Sequence, residues 1–223
     1  SARTIQGKLE ACLTALLQQP VQVSGAGRTD AGTHAIGQAA SFRAETALPT
    51  AQLLRQLRAR LPEDIGVLDL QEAAPRFHAR LNAVCKTYRY RVWVSDQPCV
   101  FDRKYVYVCP GAYDLAAMRQ AAETLLGSHD FLAFSANRPG KKSTVRRLDA
   151  LTIEKTGEEL IFTLTGDGFL HHMVRILVGT LLEIGAGARP VSSIAEIFAS
   201  GCRANAGVTV PAQGLCLMEV QYH

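Results

Sequence analysis

A ten-residue segment with three glycines, GAGRTDAGTH at residues 25–34, lies between two strand-like runs and predicts a tight loop. Glycine allows backbone angles that other residues resist, and it lets a ligand approach the backbone closely. The loop displays Arg28, Thr29 and Asp30. An acid beside an arginine on such a loop suits a nucleophilic carboxylate that cationic neighbours keep ionised. A plain turn, in which Asp30 bonds its own backbone, fits the segment equally well.

Two common phosphate-binding motifs are excluded for this loop. A dinucleotide fingerprint, GxGxxG, needs glycine at its sixth position, where Asp30 stands. A Walker loop needs lysine directly after its second glycine, and Thr33 follows Gly32 here. The loop therefore serves neither type of nucleotide site.

Helical and strand-like patterns alternate along the chain and predict an α+β protein. A basic, loop-like stretch at 75–83 separates an N-terminal subdomain, 1–80, from a C-terminal one, 81–223. A hairpin across Gly157 favours antiparallel pairing. The predicted helices are 4–18, 50–61, 114–126, 171–184 and 191–199; the predicted strands are 21–24, 38–43, 65–70, 86–94, 104–109, 144–154, 160–165 and 215–222.

The composition is that of a globular protein. Of 223 residues 48% are apolar, and 24 basic side chains nearly balance 20 acidic ones, which excludes a disordered chain. The most apolar stretch, 170–188, carries Arg175 and Glu183, so no membrane span is predicted. The first ten residues contain no apolar export signal, and the six cysteines form no CxxC. A cytoplasmic protein with reduced thiols is expected.

Two basic segments contain no acidic residue. Residues 76–91 and 138–147 each hold five lysines or arginines, a pattern that favours phosphate binding. Solvated protein faces would explain either segment alone. Their basic residues are Arg76, Arg80, Lys86, Arg89 and Arg91, and Arg138, Lys141, Lys142, Arg146 and Arg147.

Three polar residues of interest, His171, His172 and Arg175, lie in the apolar helix predicted at 171–184. Adjacent residues on a helix point about 100° apart, so His171 and His172 are not expected to share a metal ion, and no metal site is predicted. A buried arginine needs a carboxylate partner, and Asp30 would serve Arg175. The alternative is that Arg175 extends its charged end to solvent.

The segment GRTDAGTHAIGQ at 27–38 resembles the catalytic loop of the tRNA pseudouridine synthase A family, whose pattern is GRTDxGVHxxxQ. Thr33 stands where valine is usual. The family also carries a preceding segment with a strand, so the N-terminal subdomain is expected to lack its first strand. Six further segments resemble family segments in order: FHAR at 77–80, KTYRYRV at 86–92, LLGSHDF at 125–131, TVRRL at 144–148, FLHHMVRILVG at 169–179 and GLCL at 214–217.

The resemblance implies a fold and an activity. The fold would be α+β, with two related α/β subdomains whose largely antiparallel sheets join across a central RNA-binding cleft. The activity would be isomerisation of uridine to pseudouridine at positions 38–40 of the tRNA anticodon stem-loop. The enzyme would use no cofactor and no metal, and it would act as a cytoplasmic homodimer.

The resemblance also implies roles for five residues. Asp30 would be the catalytic aspartate, and Arg175 would hold it ionised and in place. Tyr88 would stack on the target base and assist removal of the C5 proton, although the strand pattern alone favours ordinary sheet packing for it. Arg28 would contact the RNA near the flipped nucleotide, and Leu215 would line the base pocket.

Two other functions compete with this one. A non-catalytic tRNA-binding relative would keep the basic segments but would need neither Asp30 nor Tyr88. A hydrolase of small nucleosides would need a second acid near Asp30 to protonate the leaving group, and the glycine loop contains no other acid.

Overall fold

The computed structural model describes residues 4–137, 140 and 143–223. By their contacts these residues divide into two units. Unit 1 comprises the chain up to Arg28 together with Ala39–Ala83, and unit 2 comprises Thr29–Gln38 together with Val84–His223. The contacts thus place most of the glycine loop with the C-terminal part of the chain. The predicted division into 1–80 and 81–223 stays a prediction.

Unit 1 packs two helices, α1 (Ile5–Leu17) and α2 (Thr50–Arg60), with an antiparallel pair of strands, β1 (Val23–Gly25) and β3 (Ala40–Phe42). Thr4 begins α1 as its N-cap, and its hydroxyl oxygen accepts a hydrogen bond from the amide of Gly7. The apolar core of this unit consists of Leu13, Val21, Val23, Leu53 and Leu57.

The strand predicted at 65–70 is wrong, because these residues form no strand. The side chain of Arg58 donates hydrogen bonds to the backbone carbonyls of Val67 and Leu68. Two backbone acceptors that a neighbouring strand would need are therefore bonded to a guanidinium group.

Unit 2 contains, among the described residues, the strands β2 (His34–Ala35), β4 (Ala83–Trp93), β5 (Tyr107–Val108), β6 (Gly127–Asp130), β7 (Val145–Thr156), β8 (Glu159–Gly166) and β9 (Leu215–Tyr222). They form a seven-stranded sheet in the order β2-β9-β4-β8-β7-β6, with β5 paired to β4. The pairs β4–β8, β7–β8 and β6–β7 are antiparallel, whereas β2–β9 and β4–β5 are parallel. The predicted hairpin is confirmed, since Gly157 lies between β7 and β8 with a φ of +58°.

Three longer helices belong to this unit: α3 (Leu115–Glu123), α4 (Met173–Gly185) and α5 (Ser193–Ser200). Helix α4 is apolar on nearly every side and lies in the core. The prediction that it begins at His171 is wrong, because His172 has a left-handed backbone (φ 63°, ψ 2°) and the helix begins one residue later. The predicted strand 104–109 shortens to β5, and the predicted helix 114–126 ends three residues early.

The prediction of a mixed fold with a mostly antiparallel sheet is confirmed. No helix in the described part of the chain is long and apolar enough to cross a membrane.

Candidate active site

The glycine loop makes a tight turn at Asp30. The amide of Thr33 donates a hydrogen bond of 3.0 Å to the backbone carbonyl of Asp30, and Gly32 between them has a φ of +84°, which favours glycine. This turn uses the backbone of Asp30 and leaves its carboxylate for other partners. Downstream, β2 pairs with β9, and Ile36 donates to the carbonyl of Leu217. The sheet of unit 2 therefore holds the loop at its C-terminal end.

Arg175, on the first turn of α4, binds the carboxylate of Asp30. Its Nη1 lies 2.7 Å from Asp30 Oδ2, and its Nε donates a bond of 2.7 Å to the carbonyl of Val210. The arginine side chain is only 13% exposed, so it does not extend to solvent. A charge-assisted bond of this kind is shorter and stronger than one between neutral groups.

His171 and His172 also reach Asp30, which the sequence analysis did not anticipate. Nε2 of His171 lies 3.4 Å from Oδ1, and Nε2 of His172 lies 3.2 Å from Oδ2. The two rings can converge because both precede the helix and His172 is left-handed. The expectation that they point apart assumed that both were helical, and it is wrong for that reason. The only signal in the sequence was that the two histidines are adjacent. The left-handed residue that turns the chain before α4 is His172 itself and not a glycine, so the sequence does not mark the turn.

The environment of His172 favours its neutral form. Burial lowers the pKa of the imidazole first of all, and the positive charges of Arg175 and Arg203 and the neighbouring His171 lower it further. The charge of Asp30 opposes them but does not prevail.

Asp30, His171 and His172 are also a possible set of metal ligands. One donor atom of each lies within 4.8 Å of the others, and two imidazoles with a carboxylate are donors that zinc accepts. Arg175 already occupies Oδ2 and places a positive charge beside the group, which works against a second cation.

Tyr88 lies on β4 opposite Leu164 of β8 and is 9% exposed. Its ring meets the edge of Phe169, with 5.1 Å between the centroids. Burial, followed by the charge of Asp30, raises the pKa of its hydroxyl to about 12. The phenol is therefore protonated at neutral pH.

The remaining predicted site residues lie in different places. Leu215 is buried at the start of β9, next to Cys216, which pairs with His34 of β2. Arg28 is exposed and belongs to unit 1. The hydroxyl of Thr33 is buried with no hydrogen-bond partner among the described residues, at the position where the family usually has valine.

Some of the positive charges in the two basic segments are paired with acidic side chains. Arg91 makes two hydrogen bonds, of 2.8 and 2.6 Å, to the carboxylate of Glu159, and Arg147 lies 2.6 Å from Asp149. Arg76, Arg80 and Arg89 are exposed. Three members of the second segment, Arg138, Lys141 and Lys142, lie outside the described residues.

Comparison with known proteins identifies the family. A family model described as tRNA pseudouridine synthase matches residues 121–223. The chain is 42% identical over 219 residues to tRNA pseudouridine synthase A of Geotalea uraniireducens. The aligned region covers 98% of this chain and 90% of that protein. The chain is 44% identical over 214 residues to the enzyme of the same name from Halalkalibacterium halodurans, with 96% and 81% covered. The chain belongs to the tRNA pseudouridine synthase A family.

The members of this family are isomerases. The matched residues of the family model include His172, Arg175 and all of α4, but not the glycine loop. The relatives cover the loop as well, because their matches extend over nearly the whole chain. A third, tRNA pseudouridine synthase A of Clostridium kluyveri, is 39% identical over 222 residues, covering 100% of this chain and 91% of that protein.

Proposed function

We propose that this chain isomerises uridine to pseudouridine in tRNA, at positions 38–40 of the anticodon stem-loop. The observation that carries the proposal is the carboxylate of Asp30, held by Arg175 at 2.7 Å and still 25% exposed. It lies on a loop of the family's catalytic pattern, in a chain whose match covers 90% and 81% of the first two relatives. An anchored, ionised and accessible carboxylate is the group that this reaction needs.

The isomerisation breaks the C1′–N1 bond of the nucleotide and forms a C1′–C5 bond. The C5 proton is lost to solvent and N1 gains a proton, so no atom or electron is gained or lost overall. Breaking a glycosidic bond calls for a carboxylate close to the sugar, as in glycosidases. Asp30 fills this role, and Arg175 keeps it charged and in place.

Tyr88 contacts the detached base. An aromatic ring supports a rotating base by stacking, which contributes about 1–3 kcal/mol per base. The Tyr88 hydroxyl makes no hydrogen bond to the described part of the chain. In this proposal it relays the C5 proton, giving up its own proton to solvent as it accepts the one from C5. Leu215 lines the base pocket, and Arg28 contacts the RNA beside the extruded nucleotide.

The exposed arginines bind phosphates. Extruding a base from a stem costs a few kcal/mol, and contacts to phosphates offset that cost. Arg76, Arg80 and Arg89 are exposed and suited to this role, whereas Arg91 is bound to Glu159. The proposal includes a cytoplasmic homodimer with its RNA in a central cleft, as the resemblance implies.

Tritium release from tRNA transcripts labelled at uridine C5 tests the function. We expect release from a transcript with uridine at positions 38–40 and none from a matched transcript with cytidine there. Equal release from both would contradict the assigned positions. A chain that binds tRNA but releases no tritium would be the non-catalytic relative.

A further inference from the structure

His172 has a backbone conformation that its position does not explain. It is one of two non-glycine residues with positive φ in the described part of the chain, and the other is Gln18. Gln18 ends α1, where a left-handed residue is common. His172 precedes α4, and the residue before a helix is normally extended. A left-handed conformation strains the backbone of a non-glycine residue.

Helix capping does not account for His172 either. The N-cap position favours serine, threonine, aspartate or asparagine, because their side chains accept hydrogen bonds from the first free amides. The side chain of His172 makes no such bond. Its Nε2 lies 3.2 Å from Asp30 Oδ2 instead. The unusual backbone thus coincides with a side chain directed to the carboxylate.

The two oxygens of Asp30 differ in how firmly they are held. Oδ2 is contacted by Arg175 and His172, whose side chains are 13% and 27% exposed. Oδ1 is contacted by His171 at 3.4 Å, and that side chain is 56% exposed. A substrate can displace the exposed ring of His171 more readily than the two groups on Oδ2.

We propose that His172 is a positioning residue of the isomerase: together with Arg175 it fixes Oδ2 of Asp30, and thereby presents Oδ1 to the target nucleotide. This role rests on the proposed function. Orientation of a reacting group within a fraction of an ångström strongly affects rate, and one guanidinium nitrogen leaves the carboxylate free to rotate. The imidazole, whose Nε2 lies 3.2 Å from the same oxygen, restricts that rotation.

The substitution His172→Gly separates positioning from folding. Glycine adopts the left-handed conformation without strain, so the melting temperature should be unchanged or higher. The kcat for tritium release should fall at least about tenfold, because the carboxylate loses orientation, while KM for tRNA stays within about twofold. Added imidazole should restore part of the lost kcat, since it can occupy the vacated position.

Two variants serve as controls. Gln18→Gly relaxes the other left-handed residue and should leave kcat unchanged. His171→Ala removes the exposed ring and should lower kcat less than His172→Gly does.

The outcomes separate the two proposals. A parent chain that releases no tritium would overturn the proposed function itself. If the parent is active, a folded His172→Gly variant with parental kcat would overturn the positioning role alone. A variant with a lower melting temperature and no response to imidazole would overturn it too, because His172 would then be merely structural.

Discussion

At the scale of single residues, the chemistry of the molecule concentrates on one carboxylate. Asp30 is contacted by a guanidinium and two imidazoles, which all come from residues 171–175. A quarter of its side chain remains exposed. The loop supplies the acid, and the first turn of α4 with the two residues before it supplies these three partners, so the site depends on how the two segments are held.

Tyr88→Phe should keep the fold and lose turnover. The ring, its contact with Phe169 and its burial are unchanged, so stability and tRNA binding should match the parent. The lost hydroxyl should reduce kcat roughly 100-fold, the lower range for a group that transfers a proton. Single-turnover tritium release measures this, and a phenylalanine variant with parental kcat would leave Tyr88 only a stacking role.

The sequence predicted part of this constellation. An arginine within an apolar helix needs an acidic partner, and the glycine loop displayed one, so the pair of Asp30 and Arg175 could be anticipated. The convergence of His171 and His172 could not. It requires a left-handed histidine, and no local propensity favours that conformation over one more helical residue.

At the scale of elements, α4 is placed by close backbone packing. Gly179 lies against the carbonyl of Val208, and a Cβ at this position would overlap that oxygen. Two residues further, the carbonyl of Val210 accepts the hydrogen bond from Nε of Arg175. The same segment therefore positions the helix and the arginine that binds Asp30.

Gly179→Ala should destabilise the protein although alanine favours helices. Overpacking costs about 1–3 kcal/mol, which exceeds the gain of about 1 kcal/mol in helix propensity. Urea unfolding should show the loss, and kcat should fall as Val210 shifts from Arg175. Gly66→Ala is a matched control, since nothing lies within 4 Å of its added Cβ. A Gly179→Ala variant more stable than the parent would contradict this packing.

Elements defined by local patterns were predicted well, and those that depend on distant partners were not. The strand-like pattern at 86–94 and the turn at Gly157 predicted β4 and the hairpin. The short strand β2 is held by parallel pairing with β9, some 180 residues away in sequence (His34 with Cys216). A two-residue strand has no periodicity to detect. Residues 65–70 have a strand-like pattern, but the side chain of Arg58 donates hydrogen bonds to two of their backbone carbonyls, so they form no strand.

At the scale of the whole molecule, tyrosines with raised pKa values make the free energy of unfolding depend on pH in the alkaline range. Burial raises the pKa of Tyr88 to about 12, and it also raises the pKa values of Tyr90 and Tyr113. A hydrogen bond with Cys109, followed by burial, raises the pKa of Tyr107 to about 12. The ordinary pKa of tyrosine is 10.0. The folded chain thus retains tyrosine protons that the unfolded chain loses above this pH.

The contribution of these tyrosines to stability should therefore be constant below about pH 10 and be lost as the pH rises towards 12. Tyr88 alone contributes about 2–3 kcal/mol to this loss, at 1.36 kcal/mol per pKa unit. Urea unfolding at stepped pH measures it, and Tyr88→Phe should show a shallower decline. A stability that stays level to pH 12 would contradict the burial of these hydroxyls.

The most direct test of the account is tritium release by Asp30→Asn beside the parent chain. Asparagine keeps the size of the side chain but cannot carry the charge, so the variant should fold, bind tRNA with an affinity within about threefold of the parent, and release no tritium. Release at the parental rate by this variant would contradict the central role of the Asp30 carboxylate.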